Sequence, residues 1–220
     1  METVRIAELL DPFMETEPSA VLSANQLQSI STYIDLLIRW NTRVNLTAVR
    51  QPEDIVTRHF GESLFAARHL FPSPTERTAV ARVVDVGSGA GFPGLPIKIF
   101  APQIRLTLIE SNQKKATFLR EVVRAITLTN VDVFFGRAED FPVTPSPADV
   151  VTLRAVERFD SILPIAARLV APSGGRLAIL IGESQRERVG ALIPEVRFAE
   201  PVKLPLSSKR VLIIGTKGPS

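Results

Sequence analysis

Residues 85 to 94 read Asp85-Val86-Gly87-Ser88-Gly89-Ala90-Gly91-Phe92-Pro93-Gly94, and this stretch decides the fold. Before it, Arg82 to Val86 is a short β-branched run that reads as a strand; after it, Leu95 to Phe100 is long enough for a short helix. Glycines at a strand-to-helix turn permit tight backbone geometry and close approach of a ligand, and the helix N-terminus presents free N–H groups. The glycines alone are a weak signal, because many such turns are glycine-rich. Two carboxylates sharpen it. Asp85 sits at the strand end, two residues before the first glycine, where it can lie under the loop and orient it. Glu110 ends the next strand, 23 residues after Gly87, where a Rossmann-type fold puts the carboxylate that grips ribose hydroxyls.

Two ligands fit such a loop, a dinucleotide and S-adenosylmethionine. Gly87, Gly89 and Gly91 spell acid-x-G-x-G-x-G, the usual methyltransferase spacing, while Gly89, Gly91 and Gly94 also spell the dinucleotide pattern G-x-G-x-x-G. The second register begins four residues past Asp85, and two antiparallel-looking strands at the C-terminus suit a methyltransferase sheet better, so S-adenosylmethionine is the leading reading. A purely structural tight turn is the remaining alternative. No G-K-[ST] occurs, which excludes a P-loop. Further along, Asp132 and Phe134-Phe135 lead into Gly136-Arg137-Ala138-Glu139-Asp140, where a methyltransferase would hold adenine on the backbone of Ala138 and Glu139; the alternative is a solvated acidic turn.

Outward from the loop, short apolar runs at Ile104 to Ile109, Val131 to Phe135, Asp149 to Leu153 and Arg176 to Ile181 alternate with helical stretches at Gln113 to Ile126 and Phe159 to Leu169. That alternation predicts βαβ units and a parallel sheet. Val196 to Leu204 and Arg210 to Thr216 read as a terminal antiparallel pair. The first 75 residues differ in being helical. Ser23 with Gln26 is a capping box opening a stripe of Leu27, Ile30, Ile34, Leu37 and Ile38, and a second helical stretch runs from about Pro52 to Leu70. The Pro72-Ser73-Pro74 cluster marks the expected boundary, giving a helical extension over 1–75 and an α/β core over 76–220.

Composition narrows the chemistry. The 220 residues contain no Cys, which removes disulfides, Cys-ligated metals and thiolate nucleophiles together. The two His, His59 and His69, lack metal-site spacing, so no metal centre is expected. No apolar run approaches the roughly 20 residues of a membrane span. The acidic start is wrong for a signal or transit peptide, so a cytoplasmic protein is the default expectation. Net charge is +3, but residues 79–220 carry 19 basic against 13 acidic side chains while residues 1–78 carry 7 against 10. The basic part is compatible with a polyanionic partner.

Missing motifs narrow it further. Methylation of an exocyclic adenine nitrogen usually employs a [DN]-P-P-[YF] loop after the fourth strand, and no Pro-Pro occurs; pyrimidine C5 methylation needs a Cys. That strand is followed instead by Arg154-Ala155-Val156, and an arginine cannot serve as a base. An acceptor that is already nucleophilic fits best. Guanine N7 is one, having an in-plane lone pair and no proton to lose. Arg154 is then the residue expected at the reacting centre, where it can bind a phosphate, donate to guanine O6, pair with Glu157, or hold the methionine carboxylate of the cofactor.

A wider set of residues now carries a resemblance. Arg39-Trp40-Asn41 with Val44-Asn45-Leu46-Thr47, Arg58-His59 with Ser63, the loop from Asp85 to Gly94, and Arg154-Ala155 together resemble the bacterial small-subunit rRNA guanine-N7 methyltransferases, the glucose-inhibited division protein B family. The resemblance runs from about Leu22 to Lys217. The glycine loop marks only a broad superfamily, whereas W-N-x-x-x-N-L-T, R-H and the Gly-Phe-Pro-Gly ending are specific. It implies a Rossmann-like class I methyltransferase, seven-stranded and mostly parallel with an antiparallel C-terminal strand, preceded by a helical extension. It further implies methylation of N7 of one guanine in 16S rRNA, with cofactor contacts at Gly87, Phe92, Ala138, Glu139 and Arg154. Three positions depart from the family pattern: Phe92 where Leu is frequent, Ile181 where a Lys often precedes the fifth-strand glycine, and Glu62 where Asp is usual. Arg186 and Arg188 lie near enough in sequence to compensate for that Lys.

Among the remaining residues, Tyr33 and Trp40 lie on or beside the apolar stripe and are expected in the core. Asn45 and Thr47 fall in a loop, where the resemblance suggests closure over the cofactor. Arg58, His59, Lys114 and Lys115 are the candidate RNA contacts; for the lysines, with Arg120 and Arg124, a solvated helix face is the alternative. Aromatics are too few for a stacking platform, so a flipped base and phosphate contacts are the expected mode of RNA recognition by a monomer. Two other readings stay open, a methyltransferase for a small molecule and a non-catalytic cofactor-binding regulator.

Overall fold

A computed structural model describes residues 1–14, 21–142, 147–156 and 158–219. It opens with α1 (Thr3–Met14) and α2 (Ala24–Asn41). Ser23 caps α2 reciprocally: its hydroxyl accepts from Gln26 N, and the Gln26 side chain accepts from Ser23 N. Ile30, Ile34 and Leu37 of the anticipated stripe are buried, as is Tyr33, while Ile38 is left exposed. The second helical stretch, Pro52 to Leu70, contains a feature no periodicity announces. Between α3 (Pro52–Ile55) and α4 (Glu62–Leu70) the chain widens into a π-helical turn, Val56–Gly61. Such single turns loosen the backbone ladder and are frequent at functional sites. The Pro/Ser cluster then starts a helix of its own, α5 (Pro74–Thr78), capped by Ser73 with Glu76.

Strands and helices alternate from here: β1 (Arg82–Val86), α6 (Gly94–Phe100), β2 (Arg105–Glu110), α7 (Gln113–Ala125), β3 (Val131–Phe135), β4 (Val150–Arg154), α8 (Phe159–Leu169), β5 (Arg176–Gly182) and α9 (Arg186–Leu192). The chain ends with β6 (Val196–Phe198), β7 (Val202–Lys203) and β8 (Arg210–Lys217). The strand order is β3-β2-β1-β4-β5-β8-β6, parallel through β5, with β8 antiparallel to β5. The predicted strand Val196 to Leu204 is interrupted, because Phe198 pairs with Gly215 but Val202 with Leu212, one residue more than β8 supplies. The extra residue sits beside Pro201, which has no N–H for the ladder. With β6 and β7 counted as one bulged edge strand, the sheet is seven-stranded.

Strand order reverses between β1 and β4, and in open α/β sheets ligands bind at the carboxyl ends of the strands at such a switch point. Apolar clusters lie on both faces. One is built around α8 and α9; the other joins α6 and α7 to the N-terminal helices. Tyr33 of α2 ties those helices to the glycine loop. Its ring stacks on Phe92 with centroids 5.3 Å apart, meets Phe60 edge-on at 5.1 Å, and its hydroxyl donates to Ala90 O.

Candidate active site

At the switch point the loop between β1 and α6 forms the floor of a cleft of about 510 Å³. Asp85 lies beneath the loop, fully buried, its carboxylate accepting from the Thr152 hydroxyl (2.7 Å) and from Gly94 N (3.3 Å). Burial raises its pKa to about 6 against the pull of these hydrogen bonds. Asp85 therefore shapes the loop from below and does not face the cleft. The glycines divide similarly. Gly87 and Gly89 line the cleft with φ of +67° and +58°, the left-handed region that favours glycine. Gly91 turns inward, where a Cβ would meet Leu95 Cδ1 at 2.6 Å. Asp85 and Gly91, both expected as cofactor contacts, are supports of the loop.

One end of the cleft is formed by β2, α7 and the turn after β3. Glu110 is buried, with Oε2 accepting from Gly89 N (2.8 Å) and Oε1 from Asn112 N (2.7 Å). Each carboxylate oxygen keeps a second lone pair, so a ribose diol can still donate to it. Asn112 caps α7, its side chain accepting from Lys114 N and Lys115 N. Gly136, Arg137, Ala138 and Glu139 line the cleft beside Glu110, with Gly136 N donating to Glu110 O at 3.1 Å. Of the two lysines, Lys115 lines the cleft and Lys114 is exposed away from it.

Arg154 ends β4 at the opposite end of the cleft, 8% exposed. Its Nη2 lies 3.1 Å from Glu62 Oε2 and donates to Arg58 O (2.6 Å) and to His59 Nδ1 (3.1 Å). The π turn explains these contacts, since it swings the Arg58 carbonyl and the His59 ring toward β4. Burial lowers the Arg154 pKa to about 10, opposed by Glu62, so it stays charged at neutral pH. Its Nε is buried with no acceptor among the described residues. Ala155 and Arg158, which follow the end of β4 and line the cleft, have φ of 47° and 54°, a strained conformation for residues with a Cβ. Glu157, expected as an alternative partner of Arg154, lies outside the described residues.

His59 is not a phosphate contact as anticipated. A guanidinium can only donate, so Nδ1 accepts from Arg154 and Nε2 carries the ring proton, which it gives to Thr47 Oγ1 at 2.7 Å. Burial first, and then the Arg154 charge, lower its pKa to about 3, and its ring stacks on Phe92 at 4.8 Å. A neutral ring with both nitrogens engaged has nothing to offer an anion. Arg58 is exposed and makes its hydrogen bond to the site through its carbonyl. The W-N-x-x-x-N-L-T motif acts through Asn41, which accepts from Leu46 N and Thr47 N and donates to Thr47 O. Asn45 is exposed and does not line the cleft, whereas Leu46 and Thr47 do.

The comparisons with known proteins agree with this geometry. The family model described as GidB, rRNA small subunit methyltransferase G, matches residues 26–209. This chain belongs to that family. It is 38% identical over 208 residues to the ribosomal RNA small subunit methyltransferase G of Roseiflexus sp., covering 89% of this chain and 85% of that one. The corresponding protein of Chloroflexus aggregans is 39% identical over 206 residues, covering 89% and 84%. Among solved structures, a SAM dependent methyltransferase from Aquifex aeolicus superposes with a TM-score of 0.54 at 18% identity, over 69% of this chain and 93% of that one, which supports the Rossmann-like methyltransferase fold.

The positions that depart from the family pattern are now located. Phe92 supplies a ring to the Tyr33–Phe92–His59 stack, a task Leu would not perform. Ile181 is buried in the apolar cluster under α9, and Arg186 and Arg188 are engaged with Glu183, Glu200 and Asp160. Glu62, singled out in the sequence only because Asp is usual there and given no role, bridges Arg154 and Arg210. Nothing local signals it, because both partners are distant in the chain. Thr152 left a fainter sign, a polar residue within the buried run Val150-Val151-Thr152-Leu153.

Proposed function

We propose that this chain transfers a methyl group from S-adenosylmethionine to N7 of one guanine in 16S rRNA. Gly87 and Gly89 would cradle the cofactor, Glu110 would take the ribose hydroxyls, Ala138 and Glu139 would flank the adenine, and Phe92 and Arg154 would enclose the methionine end, with Arg154 offering its charge to the carboxylate. The residues present suit that group: the cradle has no side chain in the way, and Glu110 is held in place with lone pairs to spare. When bound, the cofactor supplies an electrophilic methyl on a sulfonium sulfur.

The observation that carries this reading is the absence of a usable base among the described residues at the Arg154 end. Glu62 is ion-paired with two arginines and does not line the cleft, and His59 has both nitrogens engaged. Such a site suits an acceptor with a lone pair and no proton, for which orientation and exclusion of water are the chain's tasks. The same logic calls for no Lewis acid, so the enzyme is read as metal-independent, and it is proposed to act as a monomer. No helix among the described residues is long and apolar enough to cross a membrane, and rRNA as substrate puts its work in the cytoplasm. The test is transfer of labelled methyl to small ribosomal subunits from cells lacking the endogenous enzyme, followed by mapping. Label on a guanine N7 is the expected outcome; cofactor binding without label would redirect the reading to another acceptor.

A further inference from the structure

Thr47 is held more completely than a loop residue needs to be. Its N–H and C=O are both bound by the Asn41 side chain, at 3.1 and 2.9 Å. Its hydroxyl oxygen accepts from His59 Nε2 at 2.7 Å and from Val49 N at 3.1 Å. The direction of the first bond is settled by Arg154, which can only donate to the other ring nitrogen. A hydroxyl has two lone pairs and one proton, so both lone pairs of Thr47 are filled and only its proton remains. Among the described residues nothing accepts that proton, and Thr47 lines the cleft beside His59 and Phe92.

We propose that the Thr47 hydroxyl is the donor that reads the six-oxo group of the acceptor purine, admitting guanine and turning adenine away. The inference rests on the reading of the chain as a guanine-N7 methyltransferase. On the edge that carries N7, guanine presents the acceptor O6 and adenine the donor N6–H₂. A hydroxyl free to turn would serve either base. One whose lone pairs are filled can only donate, so adenine sets two donors against each other and loses a hydrogen bond on both sides. Arg154, through His59, thus fixes the polarity of a group that Arg154 does not touch.

The test uses small ribosomal subunits reconstituted with 16S rRNA carrying either guanine or 2-aminopurine at the methylated position; 2-aminopurine retains N7 and lacks O6. The readout is the ratio of the two methylation rates for wild type, Thr47→Val and Thr47→Ser. Thr47→Val should lower the ratio by roughly tenfold, the worth of one hydrogen bond in a closed site, and Thr47→Ser should restore it. A loop loosened by the lost Val49 and His59 contacts would slow both substrates alike, leaving the ratio unmoved, and that result would overturn the proposal. A weaker affinity of Thr47→Val for S-adenosylmethionine by calorimetry, with an unmoved ratio, would reassign the hydroxyl to the cofactor. Failure of wild type to methylate the guanine substrate would instead sink the underlying reading.

Discussion

Glu62 and Arg154 form a buried ion pair, Oε2 to Nη2 at 3.1 Å, joining the first turn of α4 to the end of β4. Glu62 also meets Arg210 Nη1 at 2.8 Å, at the start of β8. One carboxylate therefore ties together the N-terminal helices, the reacting end of the cleft and the antiparallel strand. Burial alone raises its pKa, and the guanidinium charges of Arg154 and Arg210 oppose that rise.

Replacing Glu62 by Gln keeps the shape and removes the charge from between two arginines. Breaking a buried pair on one side leaves an uncompensated charge, so E62Q should lose about 3 kcal/mol of stability. Urea denaturation would read this directly. A loss within error would mean that solvent reaches the site and screens it.

Arg154→Lys retains a positive charge but, with a shorter reach and a compact ammonium in place of the guanidinium plane, does not set a donor where Nη2 donates to the Arg58 carbonyl and His59 beside Glu62. Turnover should fall on the order of tenfold or more while the fold stays intact. Lysine at wild-type rate would show that charge alone matters there.

The glycines should separate binding from folding. Gly91→Ala places a Cβ 2.6 Å from Leu95 Cδ1 at φ +93°, and should cost about 2 kcal/mol of stability. In Gly89→Asp the new Cβ meets nothing closer than Gly87 O at 3.9 Å, and Asp tolerates φ +58° better than most residues. Its carboxylate would instead enter the cleft near Glu110. G89D should melt near wild type yet bind no S-adenosylmethionine in calorimetry; normal binding would remove the loop from the cofactor site.

His59 gives a pH dependence with a definite sign. Its folded pKa is lowered to about 3 from 6.5, so between these values the unfolded chain binds more protons and stability falls as pH falls through the window. Asp85 acts oppositely. With its pKa raised to about 6 from 3.8, the folded chain binds more protons, and stability falls as pH rises across that range. His59→Gln should remove the first slope, at most about 1.4 kcal/mol per pH unit, and leave the second visible. Denaturation midpoints of H59Q and wild type between pH 4 and 7 would differ by a pH-independent offset if His59 were not held neutral.

The sequence by itself determined the features that depend on neighbours in the chain. The spacing of Gly87, Gly89 and Gly91 after Asp85, the reciprocal Ser23–Gln26 cap, the alternation of apolar runs and the antiparallel ending are local patterns, and each is where it was anticipated. Glu110 belongs with them because a βαβ unit sets its distance from the loop. Only the tertiary structure decided which of these side chains face the cleft: Asp85 and Gly91 turn away from it, and Arg58 reaches Arg154 through a carbonyl from 96 residues away. The π turn that delivers that carbonyl has no periodicity of its own, and the Glu62–Arg154–Arg210 cluster joins three elements that meet only when the sheet closes. Hydrogen-bond polarity is the most distant from sequence. That Thr47 donates and cannot accept follows from a chain of contacts through His59 to Arg154, and such a chain exists only in the folded molecule.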